Sequence, residues 1–182
     1  MQSELVTVVL SILLIGVFAP AVRHKVTAWP RFLAALMAYR IVPESLAPVA
    51  GGVLVLAEGI TLALLLVGPF TGLAGFGFVS AAALLLLYLL AMVINVARGR
   101  AYIDCGCGDE PTILGGGVLL RNAVLIGLAT CGVFFASVQG ITSVWVFVIG
   151  ICLSLIGLAL YQTIEQLLAN RTVHHKLWLG LG

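Results

Sequence analysis

Charge is what this sequence has least of. Lysine, arginine, aspartate and glutamate make up 9% of its 182 residues, against roughly 25% in a soluble globular domain. So few ions cannot supply the polar surface of a water-soluble globule, and with 62% of residues hydrophobic the solvent for this chain is lipid. The formal net charge of +2 carries no sign of a nucleic-acid partner, and none is expected. Cysteine is scarce too: four residues are too few for a secreted disulfide scaffold. The opening Met1-Gln2-Ser3-Glu4 lacks the basic start of a secretory signal, and the apolar run after it is long enough to span, so a cleaved leader is not expected.

What the chain does have is long apolar runs. A bilayer core needs about 20 apolar residues in helical form, and lipid forces every backbone polar group to pair internally. On that basis residues 1–182 form a single all-α integral membrane domain, with spans at about 5–22, 49–67, 73–97, 118–138 and 142–161. Gly68-Pro69 reads as the turn that ends the second span. The glycines inside spans, such as Gly72, Gly75 and Gly77, suit close helix approach.

The polar stretch after span one is too charged to cross. Pro30 suits a first helical turn, and Phe32, Leu33, Leu36 and Met37 form an apolar stripe beside Arg31 and Arg40. This predicts an interfacial amphipathic helix at about 30–41, ended by Pro43. With five spans, all nine basic residues fall on one side: Arg23, Lys25, Arg31, Arg40, Arg98, Arg100, Arg121, Arg171 and Lys176. The positive-inside rule makes that side cytoplasmic.

On the same side, in the polar segment 98–117, lies Asp104-Cys105-Gly106-Cys107-Gly108. Residues two apart in a tight turn can reach disulfide distance. The ring is small and strained, which makes such a disulfide oxidising, and it would close almost no loop, so it is no structural staple. Gly106 and Gly108 permit the turn. Arg98, Arg100 and Arg121 favour thiolate, the attacking species; Asp104, Asp109 and Glu110 oppose it, and one of them is a candidate proton acceptor. An incidental pair, or a metal site completed by His24 or an acid, is the alternative. No CxxC or HxxxH spacing supports metal, and no metal is expected. Cys131 and Cys152 lie inside apolar runs and read as small buried residues.

Glu58 stands near the middle of span two. An acid there is costly and is a functional candidate by default. It is protonated, or it pairs with Arg40 or Arg121; otherwise it is an interhelical hydrogen-bonding group. Asn95 and Asn122 sit at the loop-facing ends of spans three and four, placed to line a pocket below the cysteines. Tyr39 and Tyr88 offer hydroxyls to a ring carbonyl. Trp29 and Trp178 suit interface anchoring.

Several segments together resemble the methylamine-utilisation membrane protein family MauE, over residues of about 34–128. They are Ala35-Leu36-Met37-Ala38-Tyr39-Arg40-Ile41-Val42-Pro43, Glu58-Gly59, Asn95-Val96-Ala97-Arg98-Gly99-Arg100, Asp104-Cys105-Gly106-Cys107 and Arg121-Asn122. Two places depart from the family pattern: Gly108-Asp109-Glu110 follows the second cysteine where Phe-Gly is common, and span one ends Phe18-Ala19-Pro20-Ala21-Val22-Arg23.

The resemblance, which extends to the DoxX-like group and in layout to vitamin K epoxide reductase, implies a four-helix transmembrane bundle with a capping segment and a fifth C-terminal span. It implies a membrane thiol–disulfide oxidoreductase in a bacterial plasma membrane. A thioredoxin-like, MauD-like partner and its client would supply electrons, and a quinone would accept them. In that reading Cys105, Cys107, Asp104 and Arg121 do the chemistry, while Glu58, Tyr39, Asn95 and Asn122 hold the quinone. Disulfide formation belongs to an oxidising compartment, so the cysteine segment is expected on the outer face, against the charge rule. A reductive transmembrane relay using Cys131 and Cys152, and a non-enzymatic assembly subunit that docks the thioredoxin-like protein, are the rival expectations.

Overall fold

With no water to satisfy the peptide groups, the apolar runs close their hydrogen bonds within helices. The computed structural model describes residues 2–99, 116–136 and 143–178. Among these there is no strand. The elements are α1 (Gln2–Thr27), α2 (Trp29–Ala38), a single 3-10 turn (Glu44–Leu46), α3 (Ala47–Thr71), α4 (Ala74–Ala97), α5 (Gly116–Phe135) and α6 (Val144–Trp178). Five of them are long and apolar enough to cross a bilayer, so the chain is a multi-pass membrane protein.

α1 occupies the centre. It packs on α3, α5 and α6, while α3 packs on α4 and α4 on α5. The main core lies where these four helices meet: Leu10, Leu14 and Phe18 of α1, Leu65 of α3, Phe78 and Ala81 of α4, and Leu125 and Ala129 of α5. α6 lies outside this four-helix core, against α1. A Cβ on Gly132 of α5 would sit 2.5 Å from the Phe78 ring of α4, so glycine is what lets these two helices meet at Phe78.

Four helix ends differ from expectation, each for a local reason. α1 does not end at about residue 22 but runs on to Thr27, with Pro20 inside it. Pro69 lies inside α3; in a packed membrane bundle neighbouring groups satisfy what a proline frees. The turn comes three residues later, at Gly72, whose φ of 77° only glycine adopts readily. α2 stops at Ala38, before Pro43, because Arg40 takes a φ of 49° and turns the chain. α6 continues well past residue 161; at about 1.5 Å per residue its full length of about 50 Å exceeds a hydrocarbon core of about 30 Å.

A buried ion pair beside a lateral cavity

The site is built where the C-terminal end of α1, the N-terminal half of α3 and the C-terminal half of α4 converge under α2. The buried face of α1 reads Ser11, Leu14, Phe18 and Lys25, at helical intervals of three, four and seven. That of α3 includes Gly51, Glu58, Thr61 and Leu65. These stripes bring Lys25 against Glu58 deep in the bundle, at 3% and 1% exposure. Lys25 Nζ donates to Glu58 Oε1, and the Tyr88 hydroxyl donates to the same oxygen at 2.7 Å. Nζ also donates to the Tyr88 oxygen at 3.2 Å, closing a triangle. The ammonium stands 5.5 Å from the centre of the Phe32 ring on α2, a distance at which a cation is attracted to the face of the ring.

Beside the triangle lies a cavity of about 370 Å³. α2 contributes Phe32 and Leu36, α3 contributes Val53 and Leu54, and α4 contributes Leu87 and Met92. Lys25 and Tyr88 reach its wall, and Tyr39 lines it too. The inner wall is deeply buried at Lys25, Phe32, Tyr39 and Met92, whereas Val53 and Leu87 are half or more exposed on the outer surface of the bundle. The cavity therefore opens sideways, toward lipid, between α3 and α4.

Asn95 and Asn122 are buried on the facing stripes of α4 and α5. Asn95 Nδ2 donates to the Ala91 carbonyl at 3.0 Å, and Asn122 Nδ2 lies 3.8 Å from Met92 Sδ. Among the described residues, Asn95 Oδ1 and Glu58 Oε2 are buried without a hydrogen-bond partner, and such orphans are uncommon. Tyr39, Met92 and Val118 form a small second core at this level. Arg98 Nη1 donates to the Arg40 carbonyl at 3.4 Å, tying the end of α4 to the turn after α2.

Of the expected quinone-site residues, then, Tyr39 lines the cavity, Glu58 stands behind its wall, and Asn95 and Asn122 lie between α4 and α5 rather than on it. Arg121 is on the first turns of α5, at the same end. Asp104, Cys105 and Cys107 lie outside the described residues. They belong to the segment that joins Ala97 of α4 to Gly116 of α5, so its ends leave the bundle at the end where the two asparagines and the cavity lie. The partner of Glu58 is Lys25, not Arg40 or Arg121. Lys25 is no surface charge: ending span one at about residue 22 hid it, although extending the stripe of Ser11, Leu14 and Phe18 leads directly to it. Cys131 is half-buried, while Cys152, expected in the interior, is exposed on α6; both are free thiols.

The family profile of methylamine utilisation protein MauE matches residues 3–135. The chain is 35% identical to the methylamine utilization protein MauE of Paracoccus denitrificans over 122 residues, 66% of this chain and 64% of that one. It is 35% identical to the protein of the same name from Methylophilus methylotrophus over 117 residues, 62% of this chain and 60% of that one. The chain thus spans less than two thirds of the length of these curated relatives. No solved structure matches it. With a match over most of its length that takes in α1 to α5, the chain belongs to the MauE family of membrane proteins.

Proposed function

We propose that this chain is a quinone-linked thiol–disulfide oxidoreductase of a bacterial plasma membrane, which oxidises a thioredoxin-like, MauD-like partner and so supports disulfide formation in a client protein. The observation that carries this reading is positional. The segment holding Asp104-Cys105-Gly106-Cys107 joins α4 and α5 at the end of the bundle that also holds the lateral cavity. The relatives' names tie those proteins to methylamine utilisation; here the client is left open.

A thiolate of the reduced partner attacks one sulfur of the Cys105–Cys107 disulfide. A mixed disulfide forms and the other cysteine leaves as thiolate; the partner's second thiolate then resolves the mixed disulfide. The partner ends oxidised and Cys105 and Cys107 end as a dithiol. Arg121 favours the leaving thiolate electrostatically, and Asp104 is placed in sequence to take up a proton. A quinone is a two-electron, two-proton acceptor for that dithiol. The cavity suits such a group: its walls are mostly apolar, it opens to lipid, and Lys25, Tyr39 and Tyr88 are the polar side chains on it. Tyr39 and Lys25 are the groups that would hold a ring oxygen, with Glu58 and Tyr88 behind Lys25; Asn95 and Asn122 border the path toward the cysteine segment.

The test is trapping. Cys105→Ser and Cys107→Ser should each abolish oxidation of the partner, and one of them should accumulate a mixed disulfide through the surviving thiol. Oxidation at the wild-type rate in both single variants contradicts the proposal and leaves the docking-subunit reading in its place.

A further inference from the structure

The Lys25–Glu58–Tyr88 triangle is more than a staple between helices. A staple seals its charges inside the core, yet here Lys25 and Tyr88 stand on the wall of a cavity. An ammonium has three protons to donate. Glu58 Oε1 and the Tyr88 oxygen are its two oxygen acceptors among the described residues, so one N–H has no oxygen acceptor there, and Lys25 lines the cavity. Behind it, Glu58 is 1% exposed and its second oxygen has no partner among the described residues. The wall opposite is aliphatic and aromatic, and the mouth faces lipid at Val53 and Leu87.

We propose that Lys25 is the anchor of the ligand site in this cavity. It donates its free N–H to a ring oxygen of a lipid-soluble quinone whose hydrocarbon part fills the apolar remainder. Glu58 and Tyr88 are positioning residues: they fix the ammonium at the wall and offset its charge, so that a neutral oxygen acceptor is preferred over a second anion. This assignment rests on the reading that the cavity takes a quinone, and it names the group that recognises it. Nothing in the residue types of the second span and the following helix requires it; it follows from where α1 places a lysine that would otherwise be counted with the surface charges.

The experiment compares two probes of similar outline, 2,3-dimethyl-1,4-naphthoquinone and 2,3-dimethylnaphthalene; only the first carries ring oxygens, and neither adds to thiols. Binding to the full chain in lipid nanodiscs is followed by quenching of Trp29, whose ring lies 5.7 Å from that of Phe32 on the cavity wall, in a Trp145→Phe, Trp178→Phe background. Wild type is expected to prefer the quinone. The double variant Lys25→Met, Glu58→Gln removes both charges while keeping volume, and neutral replacement of a buried pair is commonly tolerated. It is expected to lose about tenfold or more in quinone affinity, the value of one hydrogen bond from a charged donor, and to bind the hydrocarbon as before. Tyr88→Phe, which leaves the ion pair intact, is expected to weaken quinone binding severalfold. Unchanged quinone binding in both variants overturns the anchor while leaving the quinone reading intact. A wild type that takes up neither probe, or that retains phospholipid against the quinone, overturns the reading of the cavity itself.

Discussion

Lys25 and Glu58 are each costly where they stand, and each is acceptable because of the other. Removing a buried ion from water costs several kcal/mol, which mutual attraction and further hydrogen bonds must offset. Tyr88 supplies those bonds, touching both charges. Breaking such a pair from one side leaves an uncompensated charge. Lys25→Met alone is therefore expected to destabilise the bundle by about 3–5 kcal/mol, and adding Glu58→Gln should restore most of the loss. Reversible unfolding in mixed micelles measures both; additive losses would mean the two side chains do not act as a unit. Glu58 could be picked out in the sequence because an acid in a hydrophobic run is costly and has to be paired or hydrogen-bonded there. Its partner could not, because a lysine five residues beyond a proline reads as the start of a loop. The asparagines were legible as well: Asn95 falls on the stripe of Leu85, Tyr88 and Met92, and Asn122 on that of Val118, Leu125 and Ala129. Which neighbours they meet was not, since that depends on the rotation of each helix in the bundle.

At the scale of elements, small residues set how closely the helices approach. Gly132 has the Phe78 ring where a Cβ would be, whereas a Cβ on Gly127, on the same helix, meets nothing within 4 Å. Gly132→Ala is expected to cost about 1–3 kcal/mol through overpacking, and Gly127→Ala to be neutral or slightly stabilising. Thermal unfolding of the two variants side by side checks this, and equal effects would contradict the packing of α5 on α4. The existence of the five long helices could be read from hydropathy alone, because a lipid-facing helix has no other composition open to it. Their ends could not. Prolines are strong terminators in water, but Pro20 and Pro69 are both carried inside helices, as a membrane bundle tolerates. The turn at Gly72 answers to a backbone angle, and several glycines in that stretch were equally good candidates for it.

Taken whole, the molecule gathers its unusual residues at one end: the ion pair, the cavity, the buried asparagines and the two helix ends that carry the cysteine segment. Arg23, Arg31, Arg40, Arg98 and Arg121 fall at that end as well, and by composition basic residues favour the cytoplasmic side. Pairing Lys25 inside the bundle removes one of the nine basic residues from that count, and under the proposed function the arginines flanking the cysteines would serve to favour thiolates. A disulfide generator belongs on the oxidising face, whereas a reductive relay would keep the same end inside.

Sidedness and redox state can be read together in intact cells that carry a Cys131→Ala, Cys152→Ala background. The reagent is a membrane-impermeant maleimide of large mass, applied with and without prior treatment by an impermeant reductant. The account predicts no label before reduction and two labels after it, from Cys105 and Cys107. Two labels without any reductant, or none until the membrane is opened, would contradict it.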